Sequence, residues 1–248
     1  MTVLSYTSPG GDQLPLHVHA PEAGPPRAAL ILFHGGGWVG GSPGQFTPQC
    51  RDLAARGILA ATAGYRLLGS GARSLDDCVD DATAAIGRFR TVAAEHGLAP
   101  DVVAAGGGSA GGHLALTAAL TGGADLRALV LFNPAVDLLG APGGPEQNLR
   151  EALSITDATA ERLSPIRLVR PGAPPTLVMH GTEDRVVPID GVRRFRDRMT
   201  TEGNHCRLVE YPGAGHGFFN SGMNDCYDAT VREAAGFLLS LPDGVPPT

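Results

Sequence analysis

Gly107-Gly108-Ser109-Ala110-Gly111 presents a serine hydroxyl among small residues, directly after the apolar run Val102–Gly106 and ahead of Gly112-His113-Leu114. A G-x-S-x-G segment between a strand and a helix forces a turn so tight that the serine backbone is strained and Oγ stands above the sheet. Glycine at 107 and 111 lets strand and helix approach without side-chain clash. The helix N-terminus behind Ser109 puts partial positive charge where an oxyanion would form. Nucleophilic attack on a carbonyl is the chemistry such a hydroxyl serves, given a base to take its proton.

Negative charge on the attacked oxygen needs donors. His34-Gly35-Gly36-Gly37-Trp38 follows the apolar run Leu30–Phe33, and its glycines can aim backbone N–H groups inward with no side chain in the way. The expected donors are the amides of Gly36, Gly37 and Ala110, with Gly35 as a substitute; one such donor is typically worth about 2.7–4 kcal/mol. His34 is expected to hold the loop by hydrogen bonds. Trp38, the one tryptophan, can line the substrate entrance or serve packing.

The base must stand beyond the C-terminal end of a strand to reach Ser109. His216, in Gly215-His216-Gly217-Phe218 after the run Arg207–Tyr211, does so, whereas His205 precedes that run. His17, His19, His96 and His180 read as core or surface histidines, and His113 as a packing group near the elbow. The acid is placed at Asp184, in the turn after the run Thr176–His180, where its carboxylate can fix the His216 tautomer. Neighbouring Glu183 is expected to point elsewhere, and Asp137 is the runner-up. The chain order serine, aspartate, histidine is that of α/β-hydrolases.

Two rival readings are weaker. Gly106, Gly108 and Gly111 also satisfy G-x-G-x-x-G, but a dinucleotide site belongs to a first βαβ unit with an acid closing the next strand. Here the strand is the fifth, and the next ends in Phe132-Asn133. A Gly-rich turn without function is the other reading, and the three partner segments argue against it.

The elements that must position these groups are eight apolar runs: Val3–Thr7, Leu14–His19, Leu30–Phe33, Ile58–Ala63, Val102–Gly106, Ala128–Phe132, Thr176–His180 and Arg207–Tyr211. From the third onward they are nearly continuous, as parallel strands covered on both faces are. Helical spacing falls at Pro48–Arg56, Leu75–Glu95, Gly111–Leu120, Ile189–Thr201 and Asp225–Leu239, with Ser74 as N-cap and Asp77 at N3 of the second. The expectation is an α/β fold: a mostly parallel eight-stranded sheet with helices on both faces and an antiparallel edge from the first two strands. The segment 133–175, rich in proline, is far longer than a crossover needs and is expected to form a lid or substrate wall after the sixth strand, with helical pieces near Leu149–Leu153 and Ala158–Leu163. One domain, 1–248, is expected, fraying at 242–248.

Composition narrows the chemistry further. The chain has 248 residues and net charge −6, which speaks against a nucleic-acid or anionic-membrane surface. Its 19 basic residues are all arginine, so Schiff-base chemistry, pyridoxal phosphate included, and a Walker P-loop are excluded. Cys50, Cys78, Cys206 and Cys226 lack CxxC spacing, which points to reduced thiols in a cytoplasmic protein. Met1–Gly10 lacks the basic and apolar regions of a secretory signal, and no run approaches the length of a membrane span. No metal or organic cofactor is expected.

The chain resembles the α/β-hydrolase superfamily, specifically the HGGG-bearing esterases of the hormone-sensitive-lipase type and their small bacterial carbohydrate acetylesterase relatives. His34 to Trp38, Tyr65-Arg66-Leu67, Asp76 to Ala82, Gly107 to His113, His180 to Pro188 and Gly215 to Phe218 carry the resemblance. It departs in two places. Gly107-Gly108-Ser109 stands where the lipase-type enzymes usually have G-D-S, and too few residues precede Leu30 for their N-terminal cap. The resemblance implies hydrolysis of a small-molecule ester, with an acetyl ester of a sugar or natural product as the best fit. It also implies two alternatives: formamide cleavage, as in the kynurenine formamidases that share HGGxW, and a non-catalytic ligand receptor.

Overall fold

A computed structural model describes residues 1–140, 142–222 and 226–242. Its first half comprises β1 (Thr2–Thr7), β2 (Gln13–His19), β3 (Ala28–Phe33), α1 (Thr47–Ala54), β4 (Ile58–Ala63), β5 (Leu67–Leu68), β6 (Gly71–Ala72) and α2 (Leu75–Glu95). There follow β7 (Val103–Gly108), α3 (Ala110–Leu120), β8 (Leu129–Phe132), α4 (Pro145–Ala152), α5 (Asp157–Leu163), α6 (Pro165–Leu168), β9 (Thr176–Gly181), α7 (Ile189–Thr201), β10 (Cys206–Tyr211) and α8 (Tyr227–Ser240).

All eight expected strands form one sheet in the order β1-β2-β4-β3-β7-β8-β9-β10, while β5 and β6 make a separate two-stranded patch. β2 pairs antiparallel with both β1 and β4, and the remaining pairs are parallel. Alternation along β3 explains the layering. Ala29, Ile31 and Phe33 enter the core under α2, α3 and α7, whereas Ala28, Leu30 and Leu32 enter the one under α1 and α8. Both faces are dry, as the unbroken apolar runs require.

Several boundaries differ from expectation. Val102 belongs to a 3₁₀ turn, and β7 runs on to Gly108, because parallel pairing with β8 extends to Gly108↔Phe132. α1 begins at Thr47 behind a second 3₁₀ turn, Pro43–Phe46, and stops at Ala54. α2 spans the expected residues, and Ser74 Oγ accepts from the Asp77 N–H at 3.4 Å. α8 starts at Tyr227; Asp225 and most of the expected frayed tail lie outside the described residues.

Within 133–175 three short helices form, the third being α6. The later part is fastened to the body: His113 Nε2 donates to the Leu163 carbonyl at 2.9 Å and the Leu138 N–H donates to Ser164 Oγ at 2.9 Å. α4 instead reaches toward the glycine loop, where Leu149 Cδ1 would lie 3.8 Å from a Cβ added at Gly37.

A buried ion pair braces that loop from below. Arg66 donates to both carboxylate oxygens of Asp81 on α2 at 2.8 Å, with Asp81 wholly buried. Next to it the Tyr65 hydroxyl donates to the His34 carbonyl at 3.0 Å and its ring stacks on His34. Removing one partner of such a pair leaves an uncompensated buried charge, at a cost of about 3–5 kcal/mol.

Candidate active site

Ser109 joins β7 to α3 at φ 51°, ψ −117°, a backbone region that non-glycine residues rarely adopt. The turn is wedged from both sides: a Cβ at Gly107 would sit 2.4 Å from the Phe33 carbonyl oxygen, and one at Gly111 2.0 Å from the same atom. Only glycine fits either place. The Ser109 N–H donates to the Phe132 carbonyl, and the Ser109 carbonyl accepts from Ala135.

The glycine loop abuts the elbow, since a Cβ at Gly35 would lie 3.4 Å from Ser109 Cβ. The Gly35 N–H is already committed, donating to Gln45 Oε1 at 2.7 Å. Among the described residues the amides of Gly36 and Gly37 have no acceptor, which leaves them available. Gly36, at φ 120°, is needed because a Cβ there would strike the Gly40 carbonyl at 2.3 Å. His34 is buried and donates from Nδ1 to the Gly35 carbonyl, the loop-holding role expected of it.

Asp184 and His216 come from two turns stitched together. The Glu183 N–H donates to the Ala214 carbonyl, the Thr182 N–H to the Tyr211 carbonyl, and the Gly213 N–H to Thr182 Oγ1. His216 Nδ1 donates to Asp184 Oδ2 at 2.7 Å, while Asp184 Oδ1 accepts from the Val186 and Val187 N–H groups at 2.9 Å each. Burial alone would raise the Asp184 pKa, but these hydrogen bonds, His216's foremost, outweigh it and hold the carboxyl below its ordinary range. Glu183 is exposed, and Asp137 turns its carboxylate back on the N–H groups of Leu139 and Gly140.

No hydrogen bond joins Ser109 Oγ to His216 among the described residues. His216 instead hydrogen-bonds to Asp184, and the Asn133 amide stands against its ring, with Nδ2 3.2 Å from Nδ1 and 3.3 Å from Nε2. Long or unmade catalytic hydrogen bonds are common before substrate binds.

The profile of a family described as "alpha/beta hydrolase fold" matches residues 30–220, from the glycine loop through the His216 turn. The chain belongs to that alpha/beta-hydrolase family. The alpha/beta hydrolase described here is 29% identical over 221 residues to esterase LipC of Mycobacterium tuberculosis, covering 78% of this chain and 53% of LipC. It is 26% identical to the acetylxylan esterase of Xylanibacter ruminicola, covering 88% of this chain and 46% of that one. The chain thus spans about half the length of these curated relatives. Against apo Thermogutta terrifontis esterase 2 the match reaches 38% identity and TM-score 0.85, covering 99% of this chain and 96% of the other. Further structures of that esterase are propionate-bound, butyrate-bound or phosphonylated by sarin.

Other contacts around the site of this alpha/beta hydrolase come from the tertiary structure. Trp38 is 2% exposed and meets His113 edge-on, with ring centroids 5.1 Å apart, yet it also walls a small cavity with Ala135, Leu149, Ile155, Val186 and Val187. His180 is more than a core histidine: Nε2 donates to the Val187 carbonyl at 2.9 Å and stands 3.4 Å from Asp184 Oδ2. Gln45 and Asn133 carry no sequence signal beyond an asparagine-proline pair closing a strand. A cavity of about 790 Å³ lies among Pro175, His205, Arg207 and Phe237, at the opposite end of β9 and β10 from Asp184 and His216. Among the described residues no three His, Cys, Asp or Glu side chains gather in a metal-binding arrangement.

Burial of His113 depresses its pKa to about 4. A histidine held neutral by the fold stabilises it fully above the unfolded-state pKa, and that contribution is lost as pH falls toward the folded value. Stability is expected to decline between about pH 6.5 and 4, by up to about 1.4 kcal/mol per pH unit from this group. Burial lowers His34 and His180 in the same direction. Urea unfolding across that range checks it, and His113→Gln is expected to flatten the slope.

Proposed function

We propose that this chain is a serine esterase acting on short-acyl carboxylic esters. The observation that carries the reading is the strained Ser109 elbow at the end of β7, with the Asp184–His216 pair presented from the two later turns. Ser109 attacks the ester carbonyl as His216 Nε2 takes its proton. The amides of Gly36, Gly37 and Ala110 hold the oxyanion. His216 returns the proton to the leaving alcohol, and water then cleaves the acyl-enzyme by the same route, with Asp184 holding the imidazole in its Nδ1–H tautomer.

Short acyl groups are the proposed substrates. The propionate- and butyrate-bound forms of the Thermogutta esterase support the same range, and the acetylxylan esterase supports acetyl esters of carbohydrates. A cytoplasmic location fits Cys50, Cys78 and Cys206, which form no disulfide. No helix among the described residues is long and apolar enough to cross a membrane.

A p-nitrophenyl ester series tests the reading, with N-formylkynurenine in parallel for formamide cleavage. Turnover is expected to be greatest at about two to four acyl carbons, the range that the ligands of the Thermogutta esterase support. A maximum at about eight or more would contradict the short-acyl reading.

A further inference from the structure

Asn133 closes β8 and is fully buried, at φ 36°, in the left-handed region that asparagine tolerates better than other side chains. Its position is over-determined. The Asn133 N–H donates to the Met179 carbonyl on β9, and Pro134 packs so closely on α3 that a Cβ at Gly112 would lie 2.9 Å from it. The residues on either side bracket the nucleophile: the Phe132 carbonyl accepts from the Ser109 N–H, and the Ala135 N–H donates to the Ser109 carbonyl. Strain and burial of a polar residue at such a junction point to function rather than packing.

The side chain reaches the base. Its amide nitrogen is almost equidistant from the two ring nitrogens of His216, at 3.2 and 3.3 Å. A point at that range in the ring plane would collide with Cε1–H on one side or with the ring carbons on the other. The amide therefore lies over the face of the imidazole. His216 Nδ1 already gives its hydrogen to Asp184, a single bond that a modest rotation of the ring about Cβ–Cγ bends without breaking. An amide on the face blocks that rotation. The Asn133 Oδ1 atom is buried and has no partner among the described residues, so no other side-chain bond explains the placement.

We propose that Asn133 is a positioning residue that sets the plane of the His216 imidazole, and with it the direction in which Nε2 meets Ser109. The inference rests on the esterase reading and deepens it. Asn133 ties the backbone of the nucleophile to the ring of the base, so both are set by one rigid turn. The titratable groups facing the ring are Asp184 and His180, from β9 and the turn after it.

Two variants test it. Asn133→Gly keeps the positive φ without strain and removes only the amide. It is expected to lower kcat roughly 10- to 100-fold, with KM changed by less than about threefold. Asn133→Asp sets a carboxylate against the imidazole, favours its charged form, and is expected to move the acidic limb of kcat/KM up by about one pH unit or more. The 15N titration of the His216 ring reads the same contact without turnover, and its midpoint is expected to rise in the Asp variant. Wild-type kcat and pH profile in the Gly variant, or an unmoved titration in the Asp variant, would overturn the proposal. A wild-type chain that cleaves no ester would count against the esterase reading alone, because the titration still decides the role of Asn133.

Discussion

Ser109→Ala is expected to lower kcat/KM for p-nitrophenyl acetate by about 10⁴-fold or more and to abolish covalent labelling by a fluorophosphonate. The size follows from the mechanism: without Oγ no acyl-enzyme forms, and only the oxyanion donors and binding remain to assist water. Ser109→Gly separates catalysis from folding. A side chain at φ 51°, ψ −117° costs of order 1–3 kcal/mol, so the glycine variant is expected to be as inactive as the alanine one yet to unfold at higher denaturant. Full labelling of the alanine variant would place the nucleophile elsewhere.

Asp184→Asn is expected to lower kcat by about 10⁴-fold with little change in KM. Asp184 uses one oxygen for the Val186 and Val187 amides and the other for His216 Nδ1–H. Asparagine has a single carbonyl oxygen, and two backbone donors hold it. The NH₂ group then faces Nδ1 and must donate to it, which forces the ring hydrogen onto Nε2. That tautomer cannot accept the Ser109 proton. Asp137→Asn is expected to fall by less than about tenfold, because that carboxylate serves the backbone of its own turn. The ratio of the two variants, measured as kcat with circular dichroism to verify folding, identifies the acid. Equal losses would return Asp137 to contention.

What the sequence determined by itself is local. Near-continuous apolar runs specify buried parallel strands, Ser74 marks the start of α2, and paired glycines around Ser109 specify a turn that nothing larger could make. These signals act over a few residues through sterics and periodicity, so they survive without knowledge of the fold. Chain order and strand ends then single out Ser109, Asp184 and His216 as the proposed catalytic set.

Only the tertiary structure decided which polar groups are spoken for. Gly35 loses its amide to Gln45, Asp137 turns back on its own loop, Arg66 finds Asp81, and His180 comes within 3.4 Å of Asp184. The contact between Asn133 and His216 joins residues 83 positions apart. The physical reason is shared: hydrogen-bond partners across turns depend on the packing of whole layers, which no short stretch of sequence encodes, whereas strand, cap and turn preferences are properties of the stretch itself.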